Sequence, residues 1–208
     1  MKKLVLSLCA LFAFGLANAQ ESATTDGFKK GDTFISGAVG FRTEKKGEND
    51  KYNQYNISPR AAYFVTNNIA LGVSLNYSHR KIDGSFDTGT NIQKDNSLSA
   101  GVFGRYYFTP ASKFSFFAQL GADYVTTKST LRGYNYSIDY KTNGVSINFA
   151  PAISYFVSDH FALEALFGVL SYSSTKPNND EVVKGPSTNT FNADLNLGNI
   201  NLGLVYKF

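Results

Sequence analysis

From Thr33 onward, apolar side chains recur at every second position with small or polar residues between them. In a strand that period puts one kind of side chain on each face. Ile35, Val39 and Phe41 open the series; Tyr55, Ile57, Pro59, Ala61 and Tyr63 form a second segment, and Ile69, Leu71, Val73, Leu75 and Tyr77 a third. The fourth carries Leu98, Ala100, Val102, Tyr106 and Phe108, and the fifth Phe114, Phe116, Ala118, Leu120, Ala122 and Tyr124. Val145, Ile147, Phe149, Pro151, Ile153 and Tyr155 make the sixth, and Phe161, Leu163, Ala165, Phe167 and Val169 the seventh. Ile200, Leu202, Leu204, Tyr206 and Phe208 end the chain as the eighth, and none of these positions is charged.

Each segment matches the roughly 9 to 11 residues that a tilted strand needs to cross a bilayer. Short turns at 66–68, 109–113 and 158–160 alternate with long polar connections at 44–51, 82–95, 128–143 and 172–190. An even strand number with short turns on one side and long loops on the other predicts an all-β fold, an eight-stranded antiparallel up-and-down transmembrane β-barrel. A soluble barrel would alternate in the same way. The second face here, however, is rich in Gly, Ser, Ala and Asn and poor in Lys and Glu, as a crowded interior is and a wetted exterior is not. Two features strain the pattern. Pro59 and Pro151 fall inside strands, where proline implies a bulge. The last strand changes parity between Phe191, Ala193, Leu195, Leu197 and Ile200 to Phe208, which calls for a bulge near Gly198 or Asn199.

The first residues change the picture of location. Lys2 and Lys3, an apolar run from Leu4 to Leu16, and Ala17-Asn18-Ala19 have the order of a secretory signal peptide, with cleavage after Ala19. The expected organisation is a signal peptide at 1–19, a short periplasmic segment at 20–32 and a barrel at 33–208. Removal of residues 1–19 takes away Cys9 and Met1, the only Cys and Met, and lowers the formal charge from +4 to +2. An exported chain without cysteine holds together without disulfides. With 13 Tyr and 18 Phe the chain is too aromatic to stay unfolded, and its small net charge is not the footprint of a nucleic-acid binder.

An internal repeat carries a resemblance. Tyr63-Phe64-Val65-Thr66-Asn67-Asn68-Ile69-Ala70-Leu71-Gly72 is echoed at Tyr155-Phe156-Val157-Ser158-Asp159-His160-Phe161-Ala162-Leu163, and the chain ends Leu202-Gly203-Leu204-Val205-Tyr206-Lys207-Phe208. These segments resemble the small outer-membrane β-barrel family, the OmpA/OmpX-like and porin-family domains, over nearly all of the chain beyond residue 19. The resemblance implies an integral outer-membrane protein, in contact with outer-membrane lipid, with Tyr206 and Phe208 as the signal read by the barrel-assembly machinery. It specifies activity poorly, because the family includes anchors, adhesins and proteins of unassigned role.

Candidate chemistry is sparse. His160 lies in a short turn, and His79 points outward beside Tyr77 with Ser78 on the other face and Lys81 at the next outward position, so no hydrolase constellation forms around it. Asp180-Glu181 lacks the spaced oxygen ligands of a calcium loop. The glycine-rich stretch at 84–89 precedes no helix that would cradle phosphate, so no metal or cofactor is expected. Arg60, Arg105, Asp123 and Glu164 all occupy the small-residue face, as do Phe64, Tyr107, Phe117 and Phe156. An eight-stranded barrel is just wide enough for its side chains to fill, so these four charges are expected to form a barrel-interior network. The functional expectation is a monomeric, non-enzymatic protein with a structural or surface-interaction role, meeting an extracellular ligand through loops 44–51, 82–95, 128–143 and 172–190. A narrow porin-like pore is the alternative, and a lipid A modifying enzyme the third reading.

Overall fold

A computed structural model describes residues 27–46, 50–86, 89–133, 135–178, 185–194 and 200–208. The expected signal peptide at 1–19, the first part of the 20–32 segment, Asp180-Glu181, and the parity change with Leu195, Leu197, Gly198 and Asn199 lie outside the described residues. Ten strand segments follow one another: β1 (Thr33–Lys46), β2 (Asp50–Phe64), β3 (Ile69–Phe86), β4 (Gly89–Tyr107), β5 (Phe114–Arg132), β6 (Ser137–Phe156), β7 (Phe161–Phe167), β8 (Val169–Pro177), β9 (Thr188–Asp194) and β10 (Ile200–Lys207). β7 and β8 are two parts of one strand, and β9 and β10 supply the last, so the ten segments make eight staves. Neighbours pair antiparallel throughout, and the pairing of β10 with β1 closes the sheet into a barrel.

The register fixes the geometry. Starting at Phe156 and stepping from partner to partner through Ala162, Val205, Ser36, Arg60, Ser74, Gly101 and Asp123, the circuit returns to β6 at Ser146. A stagger of about ten residues over eight strands corresponds to a tilt of about 40° and a lumen that side chains can fill. Val39, Leu98, Val102, Leu120, Val145 and Leu202 are among the exposed apolar residues of the outer face. Phe34, Phe64, Phe103, Tyr107, Phe117, Phe156 and Val205 are buried within the barrel. The core therefore sits inside the cylinder, and the larger apolar surface faces outward, where only lipid would cover it.

Two sequence expectations change. The register between β2 and β3 is the same on both sides of Pro59, with Ile57 opposite Tyr77 and Arg60 opposite Ser74. No residue is inserted there; pairing with β3 simply lapses at Ser58 and Pro59 while β1 pairs with both. Near Pro151 there is a bulge, but on the neighbouring strand. Ala152 faces Leu166 and Phe149 faces Leu170, so Ala150 and Pro151 oppose three residues centred on Gly168, whose φ of 68° belongs to the left-handed region. That extra residue reverses the facing beyond it. Val169, assigned to the outer face by its odd number, lines the lumen, and Tyr172 is exposed outside.

Three of the four long connections also prove to be mostly strand, and the fourth in part. β3 runs to Phe86 and β4 starts at Gly89, β5 runs to Arg132 and β6 starts at Ser137, so most of 82–95 and 128–143 is hairpin. Likewise β1 and β2 cover 44–46 and 50–51, and β8 and β9 cover 172–177 and 188–190. The physical reason is that a hairpin standing in water on both sides needs no apolar alternation, so its sequence reads as polar loop. β3 to β6, at 18, 19, 19 and 20 residues, span roughly 60 Å along the strand. An apolar band about 25 Å tall covers only their lower part.

Candidate functional site in the barrel lumen

At the end bearing the short turns, residues 27–32 fold across the opening. The Phe28 N–H donates to the Pro110 carbonyl (2.6 Å), and the Lys207 ammonium donates to the Gly27 carbonyl (2.7 Å). Lys30 N–H reaches Asn67 Oδ1 (3.1 Å), while Gly31 N–H bonds the Phe64 carbonyl (3.0 Å) and Phe64 N–H bonds the Asp32 carbonyl (2.9 Å). The Phe28 ring, 1% exposed, packs against Phe64 (4.7 Å between centroids), Phe156 (4.8 Å), Tyr107 (5.2 Å) and Phe34 (5.3 Å). Gly27 has a φ of 117°, and a Cβ there would collide with the Pro110 carbonyl oxygen and Ala111. Only glycine suits so close an approach at that angle. Burial pushes the Asp32 carboxyl above its ordinary range, against the lowering effects of the Lys29 N–H and the Lys207 and Lys29 charges. Residues 27–32, the described part of the segment expected at 20–32, thus plug this end of the barrel.

Above the aromatic layer lies the first charged one. Arg105 on β4 donates to both carboxylate oxygens of Glu164 on β7, at 2.6 and 3.1 Å, to Gln119 Oε1 at 2.9 Å and to the Tyr107 hydroxyl at 3.1 Å. The rings of Phe117 (4.6 Å), Phe34 and Phe103 (both 5.2 Å) surround the guanidinium. The two charged side chains are 0% and 1% exposed. The fork of Arg meets the carboxylate in the bidentate geometry that makes a dry pair tolerable.

The other two interior charges do not join this pair. Asp123 accepts from Ser74 Oγ (3.0 Å) and Asn148 Nδ2 (2.8 Å), its carboxylate lying over Gly101, where a Cβ would collide with it. Arg60 faces a cavity of about 290 Å³ that Ser74, Asn76, Ser99, Asp123 and Asn148 also line, and it forms no salt bridge among the described residues. The cavity leaves room for water around its guanidinium. Of the four charges expected to form one interior network, Arg105 and Glu164 pair with each other, Asp123 bonds Ser74 and Asn148, and Arg60 faces the cavity.

Higher still, a cavity of about 360 Å³ is bounded by Gln54, Ser78, Arg80, Asp95, Thr127 and Tyr140. Arg80 donates to Asp95 Oδ2 through Nε (2.9 Å) and Nη2 (2.5 Å), and Gln93 (3.0 Å) and Ser129 (2.6 Å) complete the carboxylate's partners. Sequence reasoning missed this cluster because 82–95 reads as loop; the signal was the continued alternation of Ser78, Arg80 and of Gln93, Asp95, Ser97. On the outer face, His79 shares a hydrogen bond with Asn96 Oδ1 (2.8 Å) and stacks on Tyr55 (5.0 Å). His160 Nδ1 meets the Lys207 carbonyl (2.9 Å) in its turn. Tyr206 packs edge-on against Phe208 (5.0 Å), whose N–H bonds the Thr33 carbonyl (3.0 Å), so the last residue closes the seam with β1.

A cylinder with an apolar outer band and a packed and polar lumen, its seam closed between β1 and β10 over Phe34–Gly37, is a transmembrane barrel. The model of the family described as outer membrane protein beta-barrel domain matches residues 6–208. The chain belongs to that family and is an integral protein of the bacterial outer membrane. Among solved structures, it is similar to the outer membrane protein OprG from Pseudomonas aeruginosa, with 14% identity, a TM-score of 0.54, and coverage of 88% of this chain and 99% of that one. Neisserial surface protein A (14% identity, TM-score 0.43, 87% and 99% covered) and Ail of Yersinia pestis (13%, 0.45, 86% and 99%) are more distant in shape. No curated protein matches the chain. In outer-membrane barrels the short turns face the periplasm, which puts the plug and both charge-paired layers in order from periplasm to outside.

Proposed function

We propose that this protein is a non-enzymatic barrel with a surface-interaction role: a blocked anchor that holds stiff hairpins above the outer leaflet. The observation that carries the reading is the filled lower lumen. Phe28, Phe34, Phe64, Tyr107, Phe117, Phe156, Arg105 and Glu164 are each no more than 2% exposed, at the level a solute would have to cross. The strand extensions above the apolar band support the second half of the reading, because paired strands present side chains in fixed register where single-chain loops would not. A narrow pore is the second reading. It is favoured by the polar cavities of about 290 and 360 Å³ and opposed by the packed layer beneath them. Lipid A chemistry has only His79 to begin from, and the hydrogen bond and stacking contact of that ring are to Asn96 and Tyr55.

The experiment is to replace residues 82–93 and 130–139 with two-residue turns and to compare attachment of cells displaying the two forms to immobilised envelope and host-surface fractions. The trimmed barrel is expected to remain heat-modifiable on gels, since its packed lower lumen is intact, and to lose attachment. Attachment unchanged by trimming would contradict the reading.

A further inference from the structure

Three pairs of lysines stand directly opposite one another across neighbouring strands: Lys45 and Lys51 on β1 and β2, Lys81 and Lys94 on β3 and β4, and Lys128 and Lys141 on β5 and β6. Like charges at directly opposed positions destabilise a sheet, so three such pairs in three separate hairpins call for a counter-charge. All six share the parity of the exposed apolar residues beneath them, among them Phe41, Tyr55, Tyr77, Leu98, Tyr124 and Val145, and so project from the outside of the barrel. For a strand tilted about 40°, with a rise of roughly 2.5 Å per residue along the barrel axis, Lys81 and Lys128 stand about 30–35 Å above the periplasmic end, just beyond an apolar band about 25 Å tall. That is the level of lipid headgroups.

The acids on the same face do not neutralise the set. Asp83 accepts from Lys81 Nζ (2.7 Å) and sits opposite Lys51 in register, and Asp139 has its own contact. Lys45, Lys51, Lys94, Lys128 and Lys141 make no salt bridge among the described residues. Water alone would screen the repulsion but would not favour placing the pairs at one height. A protein partner would need a patch on one side, whereas β1 to β6 span most of the circumference.

We propose that these lysine pairs hold the phosphate groups of outer-leaflet glycolipid, one anion between two ammonium groups, with the acyl chains lying on the apolar residues below. Basic residues beside a membrane surface recognise anionic headgroups by this electrostatic route. The site commits to a lipid because only an amphiphile meets the ammonium pair and the apolar band together. It does not depend on the hairpins having a partner.

The test is native mass spectrometry of the folded mature barrel in neutral detergent, offered lipid A with two, one or no phosphates. Wild-type protein is expected to retain the bisphosphorylated form at least about tenfold better than the dephosphorylated one, and Lys81→Gln, Lys94→Gln, Lys128→Gln and Lys141→Gln together should remove most of that preference. Lys94→Gln with Lys141→Gln, which leaves one lysine in each of those two pairs, should lose part of it. Lys113→Gln, in a periplasmic turn, should lose none. Equal retention of phosphorylated and dephosphorylated lipid A by the wild type, which requires no variant to fold, would overturn the proposal. So would unchanged retention in the folded variants, or displacement by inorganic phosphate at equal concentration.

Discussion

Glu164→Gln removes one charge from the driest part of the molecule and leaves its partner in place. Arg105 keeps Gln119 and Tyr107 as neighbours, but the amide presents one acceptor and one donor where the carboxylate presented two acceptors to the guanidinium at 2.6 and 3.1 Å. One hydrogen bond is lost, a donor faces a donor, and a cation with 0% side-chain exposure has no counter-charge in contact. Breaking a buried pair by removing one partner costs about 3–5 kcal/mol, and Arg105→Met, which strands the carboxylate instead, should cost about the same. Replacing both, as Arg105→Met with Glu164→Leu, removes the need for compensation and should recover most of the loss, since dry pairs exchanged for apolar side chains are often neutral or stabilising by about 1–4 kcal/mol. Urea titrations in lipid vesicles followed by circular dichroism and gel mobility would measure all four proteins; the chain has no Trp to follow by fluorescence. Single variants each costing less than about 1 kcal/mol, the range of an exposed pair, or a double variant equal to the sum of the singles, would refute the reasoning.

Leu120→Arg, at an outer position 58% exposed, should cost about 2–4 kcal/mol when the barrel is folded into vesicles, and a cost like that of an ordinary surface site would reverse the assigned orientation of the faces. Phe28→Ala removes a ring packed on four others and should weaken plug docking by up to about 3–5 kcal/mol, exposing residues 27–32 to protease while the barrel resists. Gly27→Ala should act the same way through collision with Pro110. Asp32 gives the plug a pH dependence. A carboxyl raised on folding holds its proton more tightly when docked, so protease protection should be greatest below about pH 4 and decline as pH rises through the raised value, and Asp32→Asn should flatten the profile. Deleting Phe208, which packs on Tyr206 at the seam, should lower outer-membrane levels in cells more than it lowers stability in vesicles, and equal effects would count against its reading as an assembly signal.

The facing of residues such as Leu120 and Val102, and of Arg105 and Glu164, was legible because a bilayer outside and a crowded lumen inside impose opposite demands at every second position. That contrast vanishes above the apolar band. Arg80 and Asp95 face inward in the same period, yet with water on both sides nothing in the neighbouring residues marks one face. Alternation sends Val169 to the wrong face because a bulge at Gly168 shifts the facing by one, a backbone event that the composition of that strand conceals. Phe28 stands alone between Gly27 and Lys29, where no period exists to report that it is buried. The opposed lysines needed the register itself: Lys81 and Lys94 are ordinary surface residues in sequence until their strands are paired.

The lower lumen is closed by its own side chains, and planar-bilayer recording of refolded protein comprising residues 20–208 tests that closure most directly. The structure predicts no steady conductance for the wild type and none for Phe28→Ala, because Arg105, Glu164, Tyr107 and Phe117 still fill the level above the plug. A stable wild-type current of the size carried by a general porin would contradict the account.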